Sequence, residues 1–445
     1  MYELKGKHTT ALITLDSIEE ECIKQVTTFI NHPAFTNPVA IMVDAHAGKS
    51  SCVGFTMPMT DKIVPATIGV DIGCGVLSVN IGPDLSLSLE ELNHKIRARV
   101  PFGVNVHDHS TSIHMKNDFP WHDANVLAEK FSLAYLNKFG ARYEPPRYDI
   151  GWFESKVRST GADMHRAIGA VGSLGSGNHY CELGRSEGTT DLWLTVHSGS
   201  RNFGLRICEY WQNKAIKSLR TDKKKIMDDQ IAQIRKEFSG EEVGKKIYEL
   251  KKSMGMDYGI NVTGLEWLEG ADAIGYLFDM IFAQKYAEVN RQRMVDLICS
   301  DILKIEPKDA IETTHNYIDF RDFIIRKGAI RSYEGERVCI PLNMRDGMLI
   351  CSGKSEKSFN CSAPHGAGRV LARGKAKRTL SMDKFQADMA GIYSTSVDRS
   401  TLDESPDAYK DSKLIEEAIG PTAVILDRVK PIMNLKDTSE VRDDG

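Results

Sequence analysis

No stretch of the 445-residue chain approaches the ~20 consecutive apolar residues that a membrane-spanning helix needs. Its first ten residues are polar and charged, unlike a secretory leader. Disulfide architecture is missing too. The nine cysteines are scattered, odd in number and without paired spacing, so a reducing cytoplasm is the expected location, where thiols are free to act as ligands. There is no excess of positive charge: the formal net charge is -4. Any binding of nucleic acid must therefore use a local basic patch rather than a global field. Internal repeats and low-complexity linkers are absent. So is a phosphate loop: Ala47-Gly48-Lys49-Ser50 has the end of one, but Val43 stands where the required first glycine should be.

What remains is ordinary globular composition, 41% hydrophobic and 27% charged. A strand is expected over residues 11–15 and a helix over 17–30 with Ser17 as N-cap. Another helix should follow Pro83, and His107, His109, His114 and His122 fall in what reads as a polar surface loop. The run 191–196 is a strand that leads through His197-Ser198-Gly199-Ser200-Arg201 into a helix, an arrangement that offers backbone N–H groups to an anion. Residues 221–253 read as a charged, solvated helical hairpin. A long core helix spans about 265–302, with Ile274, Leu277, Phe278, Ile281 and Phe282 on its apolar face and Asn290 and Arg291 towards its end. Strands are expected at 338–342, 348–352, 358–362 and 422–429, and a basic helix at 373–378. Polar candidates come from every third of the chain. The expected fold is therefore α+β: one large domain of mixed β-sheets flanked by helices over residues 1–437, with 221–253 as a charged helical insertion and 438–445 as a flexible tail.

The chemistry centres on Val70-Asp71-Ile72-Gly73-Cys74-Gly75. Asp71 and Cys74 would point to different faces of an extended segment, but Gly73 and Gly75 permit a turn that brings carboxylate and thiol together. A buried turn with a structural Cys is the plain alternative. His179, His197 and His315 each sit at or near the end of an apolar run, beside Gly, Ser or Asn. One such His is more often a satisfied core histidine; three, with Asp71 and Cys74, suit a two-metal centre bridged by a thiolate. Ligand softness names zinc first. His365 lies between Pro364 and the glycines Gly366 and Gly368, with Arg369 behind. It is either a nucleophile toward phosphorus or a donor in a phosphate-binding loop, and spacing leaves both open.

These motifs, taken in order from Val70–Gly75 through Gly175–Glu182, His197–Gly204, Asn290-Arg291, Thr314-His315-Asn316 and His365–Arg369 to Tyr409 and Lys436, resemble the RtcB family of RNA ligases. The resemblance implies a GTP- and manganese-dependent enzyme of RNA repair or splicing, including tRNA splicing. Such enzymes join RNA 3′-phosphate or 2′,3′-cyclic phosphate ends to 5′-hydroxyl ends through a histidine-GMP intermediate. It replaces zinc by two Mn²⁺ ions: Cys74 bridging, Asp71 and His179 on one ion, His197 and His315 on the other. His365 becomes the guanylylated residue, and Asn178, Glu182, Gly366, Ala367, Gly368, Tyr409 and Lys436 the guanylate contacts. Many members carry Gly-Ser-Met-Gly upstream of the nucleophile; residues 343–348 differ here, and Ser352 is the candidate contact in that region. Arg201, Arg291 and Arg369 are candidate RNA phosphate contacts, and a monomer is expected. The competing reading is a two-metal cyclic phosphodiesterase that acts on RNA ends without sealing them; it needs neither His365 nor Lys436.

Overall fold

A computed structural model describes residues 1–14, 18–257 and 264–439, with side chains omitted at 220–224 and 251–257. It is a mixed α+β fold built on two large sheets. The first has six strands in the spatial order Tyr2–Lys5, Thr10–Ile13, Val39–His46, Val53–Pro58, Ile324–Lys327, Asn316–Asp319. The second has seven: Arg337–Pro341, Met348–Gly353, Ala423–Leu435, Tyr180–Ser186, Leu192–Ser198, Gly75–Gly82 and Asp309–Thr314. This sheet curls until its edge strands approach. Cys339 N donates to Thr313 Oγ1 at 3.0 Å, and Arg337 ion-pairs with Asp309 across the gap. The result is a nearly closed barrel, which shields both edges from further pairing. Val76, Trp193, Ile311, Cys339, Met348, Ile350 and Val429 form one cluster in its interior.

The helix Gly270–Asp296 is the spine of the helical side. Ile274, Leu277, Phe278, Ile281 and Phe282 are all buried, as their spacing requires, in a core shared with Phe131, Phe203 and Trp211. The helix Leu89–Arg99 begins at a capping box of Ser88 and Glu91. The helix Arg201–Glu237 is buried along its first half through Phe203, Ile207, Cys208, Trp211 and Ala215. Beyond Ala215 its described side chains are exposed or half-buried, and it runs beside the helix Glu241–Asp257.

Several expectations are corrected. The first helix is Glu20–Ile30 and takes Glu19 as its N-cap residue without a side-chain bond; Ser17 falls outside the described residues, as do 440–445 of the expected tail. Residues 358–362 are not a strand. A short turn Lys357–Phe359 is held by Glu356, whose side chain accepts from Ser358 N, and Asn360 and Cys361 follow at positive φ, so pairing begins only at Ser362–Pro364. The last strand is longer than 422–429, reaching Leu435, because a register shift between Pro431 and Met433 absorbs the proline. His107 is not a surface residue: its Nε2 meets Gly172 O at 3.1 Å in a buried position.

Candidate active site at the barrel rim

Strand register gathers the site. Gly75 at the start of its strand pairs with Ser198 and Thr314 at the ends of theirs, Tyr180 pairs with His197, and Leu435 pairs with Cys181. Cys74, His179, His197, His315 and Lys436 therefore all sit on one rim of the barrel, although they lie far apart in the chain. The turn that carries Asp71 and Cys74 is real: Cys74 N donates to Asp71 O at 3.2 Å, with Gly73 at φ +73. It is stitched to the adjacent rim segment, since His315 N donates to Cys74 O at 2.9 Å and Gly73 N to Asn316 O at 2.7 Å.

The donor atoms converge. Cys74 Sγ lies 3.5 Å from His179 Nε2 and 3.3 Å from His197 Nε2. His197 Nε2 is 3.3 Å from His315 Nε2, and His179 Nε2 is 3.0 Å from Asp71 Oδ2. Two trios result, Asp71–Cys74–His179 and Cys74–His197–His315, each with donor atoms within 4.8 Å of one another and sharing the thiol. Outer hydrogen bonds aim the rings: His179 Nδ1 meets Leu174 O at 2.9 Å, and His197 Nδ1 meets Asn178 O at 3.1 Å. With Nδ1–H spent on carbonyls, the Nε2 lone pairs face the centre, as ligating histidines require. Asp71 Oδ1 accepts from Ser200 N at 2.9 Å; a Cβ on Gly199 would come within 2.2 Å of the same oxygen. Burial works to raise the Asp71 carboxyl, but His179, Cys74 and Arg201 together outweigh it and hold the group at about 2. Burial and the Asp71 charge push the Cys74 thiol well up. A carboxylate, a thiol and three inward imidazoles whose donor atoms converge fit a divalent-metal centre, whose positive charge would convert the thiol to thiolate.

His365 follows the short strand Ser362–Pro364 and stands against this centre, its ring tilted to that of His315 with the centroids 4.8 Å apart. Its Nδ1 lies 2.6 Å from Asp44 Oδ2, which also accepts from the backbone N–H of His365 at 3.0 Å and of Gly366 at 3.1 Å. A carboxylate oxygen accepting three hydrogen bonds places the ring proton on Nδ1 and leaves Nε2 with its lone pair. Asp44 comes from the first sheet, where Lys410 Nζ donates to Val43 O at 2.8 Å and Ala45 O at 2.7 Å on either side of it. Gly368 fits against this strand at φ +71; a Cβ there would lie 1.9 Å from Asp44 O.

The sequence profile described as "tRNA-splicing ligase RtcB" matches residues 25–437. The chain belongs to the RtcB family. It is 25% identical to the RNA-splicing ligase RtcB of Escherichia coli K12 over 94% of this chain and 95% of that one. It is 26% identical to the RNA-splicing ligase RtcB of Mycobacterium tuberculosis over 88% and 95%, and 25% identical to the tRNA-splicing ligase RtcB of Methanococcus maripaludis over 94% and 92%.

Around this RtcB centre the other candidate residues divide. Asn178 is exposed at the rim beside His179. Lys436 Nζ and Tyr409 OH both bond Glu404, at 3.0 Å and 2.6 Å, and Arg369 and Arg373 pair with the same carboxylate. Burial would raise Glu404, but Lys436, Arg373 and Arg369 hold it far below the usual carboxylate range. Gly366 and Ala367 are buried beside the hairpin end, with Pro341 O 3.0 Å from where a Gly366 Cβ would stand. Glu182 points from the barrel wall, and burial pushes it up to about 7 against the pull of Asn434 and Lys436.

Three assignments are corrected by placement. Ser352 pairs with Val424, near the start of a strand whose other end carries Asn434 and Lys436, so it lies at the opposite end of the barrel wall. Arg291 is 1% exposed and bonded to Glu312, Gly73 O and Ser198 O, so it braces the Asp71–Cys74 turn from behind. Arg201, also buried, donates to Ser173 Oγ and Gly103 O. Neither guanidinium faces solvent; Arg369 keeps a little exposure, but its guanidinium is bonded to Glu404, Asp403 O and Leu371 O. Sequence reasoning missed Asp44, Glu404 and Asn434. A lone aspartate inside the otherwise apolar run Val39–Ala45 was a usable signal for the first, because a charge in a buried strand requires a partner.

Proposed function

We propose that this protein is an RNA ligase that joins 3′-phosphate or 2′,3′-cyclic phosphate ends to 5′-hydroxyl ends, with GTP as the source of activating guanylate. The observation that carries the reading is His365: its Nδ1 is held by Asp44, and its ring stands against His315 of the five-ligand cluster. Two divalent cations, manganese by family resemblance, would be held by Asp71, Cys74 and His179 and by Cys74, His197 and His315; when bound they supply positive charge to phosphate oxygens.

The chain's own residues do the rest. His365 Nε2 donates its lone pair to the α-phosphorus of GTP as the bond to pyrophosphate breaks, which leaves GMP on nitrogen. Asp44 keeps the Nδ1 proton in place and stabilises the positive charge that develops on the ring. An oxygen of the RNA 3′-phosphate then takes the guanylate from His365, and a cyclic phosphate is first opened by hydrolysis. Finally the 5′-hydroxyl oxygen attacks the activated 3′-phosphorus, forms the phosphodiester and releases GMP. Asn178, Tyr409 and Lys436 grip the guanylate, and Glu404 keeps the last two in position. The exposed lysines and arginine of the helix Arg373–Thr379 receive RNA phosphates. The work of the site is positioning and charge stabilisation. A phosphoesterase that never seals would have no use for the Asp44–His365 pair.

The test is incubation with α-labelled GTP and Mn²⁺, followed by RNA with defined ends. Acid-labile label on the protein and sealed product are expected. Label that persists in His365→Ala would refute the assignment.

A further inference from the structure

Below the rim, the inner wall of the barrel presents a row of polar side chains from three adjacent strands. Tyr180 pairs with His197, and Glu182 pairs with Thr195 on one side and Asn434 on the other. Paired residues project from the same face, so Tyr180, Glu182, Asn434 and His197 point the same way. Asn434 Nδ2 donates to Glu182 Oε2 at 2.7 Å. Asn434 is 2% exposed, yet its Oδ1 has no partner, and the hydroxyl of buried Tyr180 has none either. That bond occupies Oε2, one of the two carboxylate oxygens of Glu182. Unsatisfied polar atoms in a buried position carry a desolvation cost, and two on the same wall call for an explanation. Lys436, which closes the same strand, stands 5.6 Å over the Tyr180 ring.

We propose that Asn434 is a specificity-determining residue whose side-chain oxygen, next to the Glu182 carboxylate, reads the 2-amino group of guanine. The inference rests on the reading of a guanine nucleotide as the activating substrate. Guanine shows two neighbouring donor positions, N1–H and the 2-amino group. Glu182 Oε1 and Asn434 Oδ1 are two neighbouring acceptors. Adenine places a lone pair at N1, which would face a carboxylate. Hypoxanthine keeps N1–H but lacks the amino group, so it satisfies Glu182 and leaves the Asn434 oxygen unpaired. The amide also braces Glu182, but that support serves guanine and hypoxanthine equally, since both offer N1–H. The ratio between the two nucleotides therefore isolates the oxygen from the brace.

The experiment measures initial rates of acid-labile protein labelling with subsaturating α-labelled GTP and ITP, in Mn²⁺, for the full chain and for Asn434→Leu and Asn434→Ala. Thermal midpoints show which variants fold, and two truncations of different volume guard against one failing. The wild-type GTP/ITP ratio should be at least about 10 and should fall to within about threefold of unity in a folded variant. Normal wild-type labelling with a ratio near unity, or a ratio unchanged in a folded variant, overturns the role of Asn434 while leaving the ligase reading intact. A wild-type protein that labels with neither nucleotide overturns both.

Discussion

Asp44 acts through one oxygen. Its Oδ2 takes the His365 ring N–H and two backbone N–H groups, whereas Oδ1 is buried without a partner. Asp44→Asn keeps the shape, but the amide can present NH₂ towards the same donors. The ring then loses an acceptor for its Nδ1 proton, and the tautomer with the lone pair on Nε2 loses its stabilisation. Guanylylation should fall by about 10²-fold or more, with the protein still folded, because orientation and tautomer control by a partner are worth that much to an imidazole. A rate of label incorporation within threefold of wild type would remove Asp44 from the mechanism. At this scale most of the cluster was legible: Asp71, Cys74, His179, His197 and His315 announce themselves by residue type and by flanking small residues. Asp44 signalled only that a charge in a buried strand needs a partner; that the partner is His365, 321 positions away, leaves no local pattern. Arg291 misled for the same reason. Its side chain has the chemistry of a phosphate contact, and only the fold shows that Glu312 and two carbonyls consume it.

The basic helix Arg373–Thr379 combines two tasks along its length. Arg373 pairs with Asp403 and Glu404 and so belongs to the charge cluster that holds Lys436, and Lys377 Nζ comes within 3.8 Å of Asp403. Lys375, Lys377 and Arg378 are exposed. If these three meet RNA phosphates, affinity should depend steeply on salt. Replacing all three with Ala should flatten the slope of log K against log salt by about 2, at roughly 0.7 per phosphate contact on a single strand. Labelling by GTP in the absence of RNA should change little, which separates loss of docking from damage to the site. Binding isotherms at several salt concentrations decide it; an unchanged slope would exclude this helix as the contact. Its existence was readable from sequence, as were the core helix and the strands that lead into the clustered histidines, because amphipathic period and strand-to-glycine transitions are local signals. Residues 358–362 and the last strand were misread where local signals mislead. Asn360 and Cys361 adopt consecutive left-handed conformations, a run that is tolerated by Asn but rare for Cys, and Pro431 is carried inside a strand by a register shift.

At the scale of the molecule, the site exists only because a seven-stranded sheet curls so that its strand ends share a rim, with the first sheet bringing Asp44 against it. No single segment encodes that closure, which is why the candidate ligands were visible in the sequence but the barrel was not. The same architecture buries imidazoles in neutral form, and this sets the response to acid. His32 packs against Phe35 and Trp267, with ring centroids 5.5 Å away in each case, between the end of the first helix and the segment that leads to the core helix. Burial, aided by the charges of His8 and Lys62, lowers it to about 4. In the unfolded chain it titrates near 6.5, so between those values the unfolded state binds more protons and stability falls as pH falls. The loss begins near pH 6.5 and reaches about 1 kcal/mol by pH 5.5, or roughly 1–2 °C in thermal midpoint for a chain of this size. His197 and His315 are also driven well down by burial and by neighbouring imidazoles, so the metal-free protein should lose more than this in total. His32→Gln removes only the first contribution. The drop in midpoint between pH 7 and about pH 5.5 should be smaller in that variant than in wild type by the stated amount; equal drops would show that His32 does not contribute to the acid sensitivity of the fold.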